Sequence, residues 1–319
     1  VLPGLIARRV VEILDCPGAL ERAQVLLHHR AIGFDRIQIY QNDSDDVTQK
    51  HLRTLQRAGA VEYFNNPSRN QTWQNKAYRR ASQSDSYRDA TWCMALDGDE
   101  FLHIKTGDGT LPDLVAACEG ADEILVNWRY FGSGGHRDLS DRLVTERYTL
   151  CERSETVACL PRGVKSLFRT NAFRRPGIHR AKVPQVADPV VKNGSGLRLD
   201  NDRIVSWRIC DPSLRSLAQV NHYAVRDASS FPLKTIRGSA SHPDRDVSLK
   251  YWSILNLNDI EETDLQHMAA RTREIMGELD AKSHGRLMHL REVSLKMWQE
   301  KLDAILRIPA YRQLYEALV

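Results

Sequence analysis

None of the six cysteines (Cys16, Cys93, Cys118, Cys151, Cys159, Cys210) has C-x-x-C spacing with another. The usual zinc and dithiol motifs are therefore missing, and the pattern favours a reducing compartment over a disulfide framework. Cys93 lies inside an apolar run and reads as a small buried hydrophobe. No stretch approaches the roughly 18 apolar residues of a membrane span. The first residues lack the charged-then-apolar order of a secretory signal, so the cytoplasm is the expected location. The first residue is Val1, which leaves a trimmed or truncated start open. Charge of one sign is also scarce: 45 Lys and Arg stand against 41 Asp and Glu, a formal net of +4. Nothing in that balance requires a nucleic-acid partner. Local basic patches remain, at Arg174-Arg175 and between Arg203 and Arg215, suited to phosphate or an acidic saccharide. Internal repeats and low-complexity segments are absent.

What is present is an ordinary globular composition, 42% hydrophobic and 27% charged over 319 residues. That length permits one large α/β domain or two smaller ones. Residues 5–14 read as a strand broken at Asp15-Cys16-Pro17-Gly18, and 19–32 as a helix ended by Gly33. Strands are expected near 37–40, 61–64, 90–96 and 123–128, with helices over 47–58, 72–82 and 111–118 between them. This alternation predicts a mostly parallel sheet flanked by helices. Further strands are expected at 163–170 and 219–223, with a hairpin region over 183–202 around Asn193-Gly194. From Thr263 the pattern turns helical, with apolar faces at Leu265, Met268, Ile275, Met276 and Leu279 and from Leu287 to Ile305. We therefore expect an α/β body over 1–260 and a helical extension over 261–319 packed on it.

The segment 92–102, Trp-Cys-Met-Ala-Leu-Asp-Gly-Asp-Glu-Phe-Leu, is the most informative. A strand-length apolar run ends in three carboxylates. Asp97 and Asp99 alternate around Gly98, so both can lean toward one point. Carboxylates held that close favour a divalent cation with oxygen ligands, Mg²⁺ or Mn²⁺, whose open positions diphosphate oxygens can fill. The bland account, a solvated or capping acidic turn, applies to most such tripeptides. The polar loop 41–46, at the end of the second strand, lies where open α/β sheets bind ligands, although a capped turn before the next helix also explains it.

Set in order, four stretches resemble the family-2-like glycosyltransferases of the GT-A fold, in a bacterial group related to the family-92 glycan transferases. The first runs from His29-Arg30-Ala31-Ile32-Gly33-Phe34-Asp35 through Tyr40-Gln41-Asn42-Asp43-Ser44-Asp45-Asp46. The second is Gln74 with Ala77-Tyr78. The third is Asp97 to Phe101, followed by 127–136, Asn-Trp-Arg-Tyr-Phe-Gly-Ser-Gly-Gly-His. The fourth joins Lys165-Ser166-Leu167-Phe168-Arg169, His179, Asn221-His222-Tyr223, and Lys234 with Arg237-Gly238. The group's Asn-Glu before the first helix and Glu-Trp within it are replaced here by Pro17-Gly18 and Gln24-Val25.

The resemblance implies a metal-dependent, inverting transfer of a sugar from a nucleotide-diphospho-sugar, UDP-linked by expectation, to a glycan or glycolipid acceptor in polysaccharide biosynthesis. It implies a DXD-type metal site made of Asp97, Asp99 and His222, the histidine nitrogen suiting Mn²⁺ better than Mg²⁺. Asn42, Ser44, Asp46 and Gln74 would meet the nucleoside, and Lys234 and Arg237 the diphosphate. Glu100, Trp128, Phe131 and His136 fall on the acceptor side. His179, Asp138 and Asp141 are the candidates for the base that takes the acceptor proton. Two other classes share parts of this pattern: a nucleotidyltransferase, and a non-enzymatic saccharide-binding domain with a Ca²⁺ loop. The C-terminal helices would pack on the body, pair two copies, or approach a membrane-bound acceptor at the membrane surface.

Overall fold

The computed structural model describes residues 10–15, 19–42, 44, 46–67, 73–153, 163–200, 204–205, 208–209, 214–237 and 248–319. Pro17-Gly18, Asp43, Asp45, Arg203 and Gly238 lie outside the described residues, as does the side chain of Arg237. Strand β1 (Val10–Asp15), helix α1 (Ala19–Ala31) and strand β2 (Arg36–Gln41) form the opening βαβ unit. Helix α2 (Thr48–Arg57), strand β3 (Glu62–Asn65) and helix α3 (Trp73–Ala81) continue the alternation. Then come β4 (Trp92–Asp97), β5 (Glu100–Ile104), α4 (Leu111–Ala117) and β6 (Glu123–Tyr130). The second half adds β7 (Val164–Arg169), β8 (Val191–Asn193) and β9 (Ala218–His222).

These nine strands form one sheet in the order β3-β2-β1-β4-β7-β6-β9-β5, with β8 beside β6. The expectation of a mostly parallel sheet holds for β3, β2, β1 and β4, and again for β6 with β8 and β9. Strand β7 runs antiparallel to both β4 and β6, and β5 runs antiparallel to β9. The sheet is therefore mixed, with β7 inserted antiparallel between β4 and β6 and β5 antiparallel at the edge. Along β6, β8 pairs in parallel with Glu123 to Leu125 and β9 with Trp128 to Tyr130, so one edge serves two partners. The hairpin expected around Asn193-Gly194 reduces to a single Lys192–Arg198 bridge.

Strand β5 was not foreseen. The chain turns at Gly98-Asp99 and leaves β4 for the far edge of the sheet. There β5 would show an unpaired edge, and α1 covers it. His28 Nε2 donates to the Leu102 carbonyl at 2.8 Å, and the Leu102 N–H donates to His29 Nε2 at 3.1 Å. Two consecutive histidines thus close both polar groups of one edge residue, which removes part of the liability of an open strand. Gly33, with φ of +106°, makes the turn that ends α1.

Two apolar layers flank the sheet. On one side Leu26, Ile39, Met94, Leu96, Leu102 and Val126 pack together; on the other Tyr40, Tyr78, Cys93, Ala95 and Phe168 do. Helices α5 (Ser230–Arg237), α6 (Leu249–Leu255), α7 (His267–Lys282), α8 (Arg286–Ile305) and α9 (Pro309–Leu318) complete the described chain. Ile275, Leu279 and Leu287 join the same core cluster as α1, so the C-terminal helices pack on the sheet domain. Leu314 and Leu318 reach the cluster around Phe231 and Trp252. Cys93, Cys118 and Cys151 are buried free thiols. Among the described residues no helix is long and apolar enough to cross a membrane.

Burial lowers both His28 and His29 to about 3, so each is neutral in the fold and must gain a proton when the chain opens in mild acid. A histidine depressed in the folded state contributes stability above its unfolded value near 6.5 and loses it as pH falls toward its folded value. Unfolding free energy should therefore drop between pH 6.5 and 5 by about 2 kcal/mol for each ring. Urea melts across that range check this: His29→Gln should flatten the slope, and an unchanged slope would contradict the assignment.

Candidate active site

The carboxyl end of β4, the first residue of β5 and the end of β9 meet at one place. Register pairing sets His222 opposite Glu100, and the Tyr223 N–H donates to the Asp99 carbonyl at 2.9 Å. This brings a residue from near position 100 beside one from 222, a juxtaposition only the β5–β9 pairing supplies.

Beneath the turn lies Lys165, a fully buried lysine in β7. Its ammonium lies 3.0 Å from Asp97 Oδ2 and 3.0 Å from Glu100 Oε2. The Asp97 N–H donates to the same Glu100 oxygen at 2.7 Å. The other Asp97 oxygen, Oδ1, accepts from Gln74 Nε2 at 3.0 Å. Burial works against the lysine's charge, but Asp97 and Glu100 outweigh it and hold the ammonium above its ordinary value. Burial pushes the Glu100 carboxyl up, and Lys165 opposes that shift. A lysine is seldom fully buried without partners. Here two carboxylates satisfy it.

Asp99 faces the other way. Its Oδ1 lies 3.7 Å from His222 Nε2, and its Oδ2 lies 3.6 Å from Lys234 Nζ on α5. Lys234 also donates to the Ala224 carbonyl and sits 5.5 Å from the Tyr251 ring centre. The Trp128 ring is 4.7 Å from His222 and 5.3 Å from His179. Trp128 comes this close to the backbone because residue 163 is glycine; a Cβ there would lie 2.2 Å from the indole. His179 Nδ1 donates to the Val164 carbonyl at 3.1 Å. Burial, then Lys165, lowers this ring to about 4, so it is neutral at neutral pH.

The expected site residues divide accordingly. Asp97, Asp99, His222, Lys234, Gln74, Trp128 and His179 are joined through direct contacts or through Lys165. Asp97, however, does not bring its carboxylate within 4.8 Å of both Asp99 and His222, because Lys165 and Gln74 take its oxygens. Among the described residues the triple that does gather this way is His103, Glu262 and Asp264, where Arg129 and Gln219 already bind Glu262.

Glu100 is fully buried, so it supports Asp97 instead of meeting an acceptor. Phe131 is a core residue 4.8 Å from Tyr223, not an exposed platform. His136 binds the Arg147 carbonyl at 2.9 Å and rests on Tyr148. Asp138 and Asp141 face the C-terminal helices: Asp138 Oδ1 lies 3.5 Å from the Tyr315 hydroxyl, and the Asp141 carbonyl accepts from Arg291. Glycine-rich loops read easily as site loops, but this one is tied to α8 and α9.

Of the residues expected to meet a nucleoside, Asn42 accepts from Asn66 Nδ2 at 3.0 Å, and Ser44 is half-buried. Asp46 accepts from the Thr48 N–H at 2.8 Å, an Asx turn that leads into α2. Sequence reasoning missed the role of Lys165. Its one signal was a lysine near the start of a strand that also holds apolar Val164, Leu167 and Phe168.

Residues 22–189 match the model of Glycosyltransferase family 92, just over half of the 319-residue chain. The chain belongs to glycosyltransferase family 92. Its Asp97-to-Glu100 turn, Lys165 and His179 fall within the matched residues, whereas His222 and Lys234 lie beyond them. Among solved structures it is similar to S. aureus TarS 1–349, at 15% identity over 51% of this chain and 48% of that one, with a TM-score of 0.31. TarS 1–349 in complex with UDP matches at 12% identity over 51% and 47%, with a TM-score of 0.32. Glucosyl-3-phosphoglycerate synthase from Mycobacterium tuberculosis, in complex with Mn²⁺, UDP and phosphoglyceric acid, matches at 14% over 38% and 44%, with a TM-score of 0.23. The family 92 chain thus spans about half the length of the TarS 1–349 structure. No curated protein matches it.

Lys165→Met would leave two carboxylates without their buried cation, which costs about 3–5 kcal/mol when one partner of a buried pair is removed. Without Lys165 to oppose burial, Glu100 should titrate still further above its unfolded value. Its protonated form then stabilises the fold at low pH, and that contribution is lost as pH rises through the folded value. Thermal melts should show the deficit of Lys165→Met growing from pH 6 to pH 8; a deficit independent of pH would contradict the pairing.

Proposed function

We propose that this family 92 chain is a metal-dependent, inverting glycosyltransferase that takes its sugar from a UDP-linked donor and has the GT-A arrangement. The catalytic body is read as 1–260 and the helical extension as 261–319. The observation that carries the reading is the facing of Asp99 and His222, a carboxylate oxygen and an imidazole nitrogen 3.7 Å apart. The two atoms are turned toward each other and are the donor types that would hold one divalent ion between them. The mixed oxygen and nitrogen set suits Mn²⁺. When bound, such an ion supplies stabilisation of the negative charge on a leaving diphosphate.

The chain's own residues supply the rest. Lys234 lies next to Asp99 on α5, where its ammonium can add a second positive charge for the diphosphate. Asp97, fixed by Gln74 and Lys165, presents a carboxylate whose orientation is set before a donor arrives. Such preorganisation avoids rearrangement during the reaction. In this reading Asp97 meets the donor ribose while Asn42, Ser44 and Gln74 border the nucleoside. Trp128 offers an aromatic wall to the acceptor sugar. His179, neutral and with Nδ1–H committed to Val164, would take the acceptor proton on Nε2.

Asp99→Asn should lower transfer by about 100-fold or more, the scale of losing one charge-stabilising group. It should also abolish the extra rise in melting temperature that Mn²⁺ gives in the presence of UDP. A variant with full activity, or an unliganded protein that Mn²⁺ and UDP leave unmoved, would contradict the reading.

A further inference from the structure

Between Lys165 and Ala187 the chain has six Lys and Arg residues and no Asp or Glu, in a molecule otherwise almost balanced in charge. Three of the six have structural partners. Lys165 binds Asp97 and Glu100, Arg169 donates to the Ala121 carbonyl and lies over Trp92, and Arg180 binds Glu123. Arg174, Arg175 and Lys182 do not form ion pairs among the described residues, and all three belong to one two-stranded hairpin, Phe173–Arg175 with Lys182–Pro184.

The register of this hairpin puts Arg175 directly opposite Lys182. Directly opposed like charges destabilise an antiparallel pair. Val183, next to Lys182, has a φ of +60°, a costly conformation for a β-branched residue. The hairpin is nonetheless held firmly. Buried Glu123 takes Arg180 at 2.7 Å and the Ala181 N–H at 3.0 Å, and the Tyr87 hydroxyl donates to the Phe173 carbonyl at 3.1 Å. An opposed cation pair on a rigid support is relieved when an anion bridges it.

The position of the hairpin indicates which anion. Its tip carries His179, whose ring is 5.3 Å from Trp128, and Trp128 in turn lies 4.7 Å from His222. We propose that the acceptor is an anionic saccharide, whose carboxylate or phosphate group is bridged by Arg175 and Lys182 at the acceptor lip. The assignment rests on the reading of His179 and Trp128 as the acceptor side. Arg174 adjoins Arg175 on the opposite face of the strand and adds only to the surrounding field.

Fluorescence anisotropy of labelled oligogalacturonate with the full chain, in about 150 mM salt, tests this. Its methyl-esterified form serves as the uncharged control, and a glycerol-phosphate oligomer as the phosphate arm. The free acid, the phosphate oligomer or both should bind, the better of them naming the anion, and the ester should not. Arg175→Gln with Lys182→Gln should weaken that binding by about tenfold or more, the scale of losing charge-assisted hydrogen bonds; Arg174→Gln should weaken it less. Equal binding of acid and ester, no binding of either anion, or wild-type affinity in the double variant would overturn the proposal. The Mn²⁺–UDP melting shift reports the donor side separately. Its absence would remove the transferase reading while leaving the oligosaccharide result to stand or fall alone.

Discussion

A buried ammonium between two carboxylates holds the end of β4 in place, and the rest of the site takes its geometry from that contact. Lys165 comes from β7, which is antiparallel to β4, while Glu100 opens β5, which belongs to the other edge of the sheet. One side chain therefore links a central strand, its neighbour and the turn between β4 and β5. Ion pairs this deeply buried are costly to assemble, and their geometry is correspondingly well defined once formed. The consequence is a division of labour within one short motif. Asp97 is satisfied from inside the protein, and Asp99, two residues on, faces His222 and Lys234.

The same division explains the placement of β5. Because Glu100 must reach Lys165 while His222 must reach Asp99, β5 and β9 have to pair in one register. The next residues of β5 are then committed as well: Phe101 packs at tilted and edge-on angles among His28, His29 and Tyr223, and Leu102 is bound at both polar groups by the two histidines of α1. A helix near the amino end thus braces the turn near residue 99. Trp128 closes the other side, seated against Gly163 at the start of β7.

Much of the fold was legible in the residues. Apolar runs such as 92–97 and 123–128 are long and buried on both faces, so their strands read directly, as did α1, α2, α3 and α4. What local pattern cannot show is direction, which is why a mixed sheet was read as mostly parallel. Strand β5 was hidden because its first residue is an acidic one that reads as part of the preceding turn. The closeness of Asp99 and His222 was foreseen, yet the contact of Asp97 with Lys165 was not, since that lysine lies 68 residues away in sequence. Phe131, His136, Asp138 and Asp141 suggested an acceptor loop by composition. Their partners, Tyr223, Arg147, Tyr315 and Arg291, are tertiary contacts with no local signal.

The central claim is that Asp99 and His222 form the ion-binding pair while Asp97 belongs to Lys165. Pulsed electron paramagnetic resonance of Mn²⁺ bound with UDP, on protein carrying ¹⁵N-labelled histidine, addresses it directly. The account predicts one directly coordinated histidine nitrogen, lost in His222→Gln and kept in Asp97→Asn. Absence of nitrogen coupling in the unaltered protein, or its survival in His222→Gln, would contradict it.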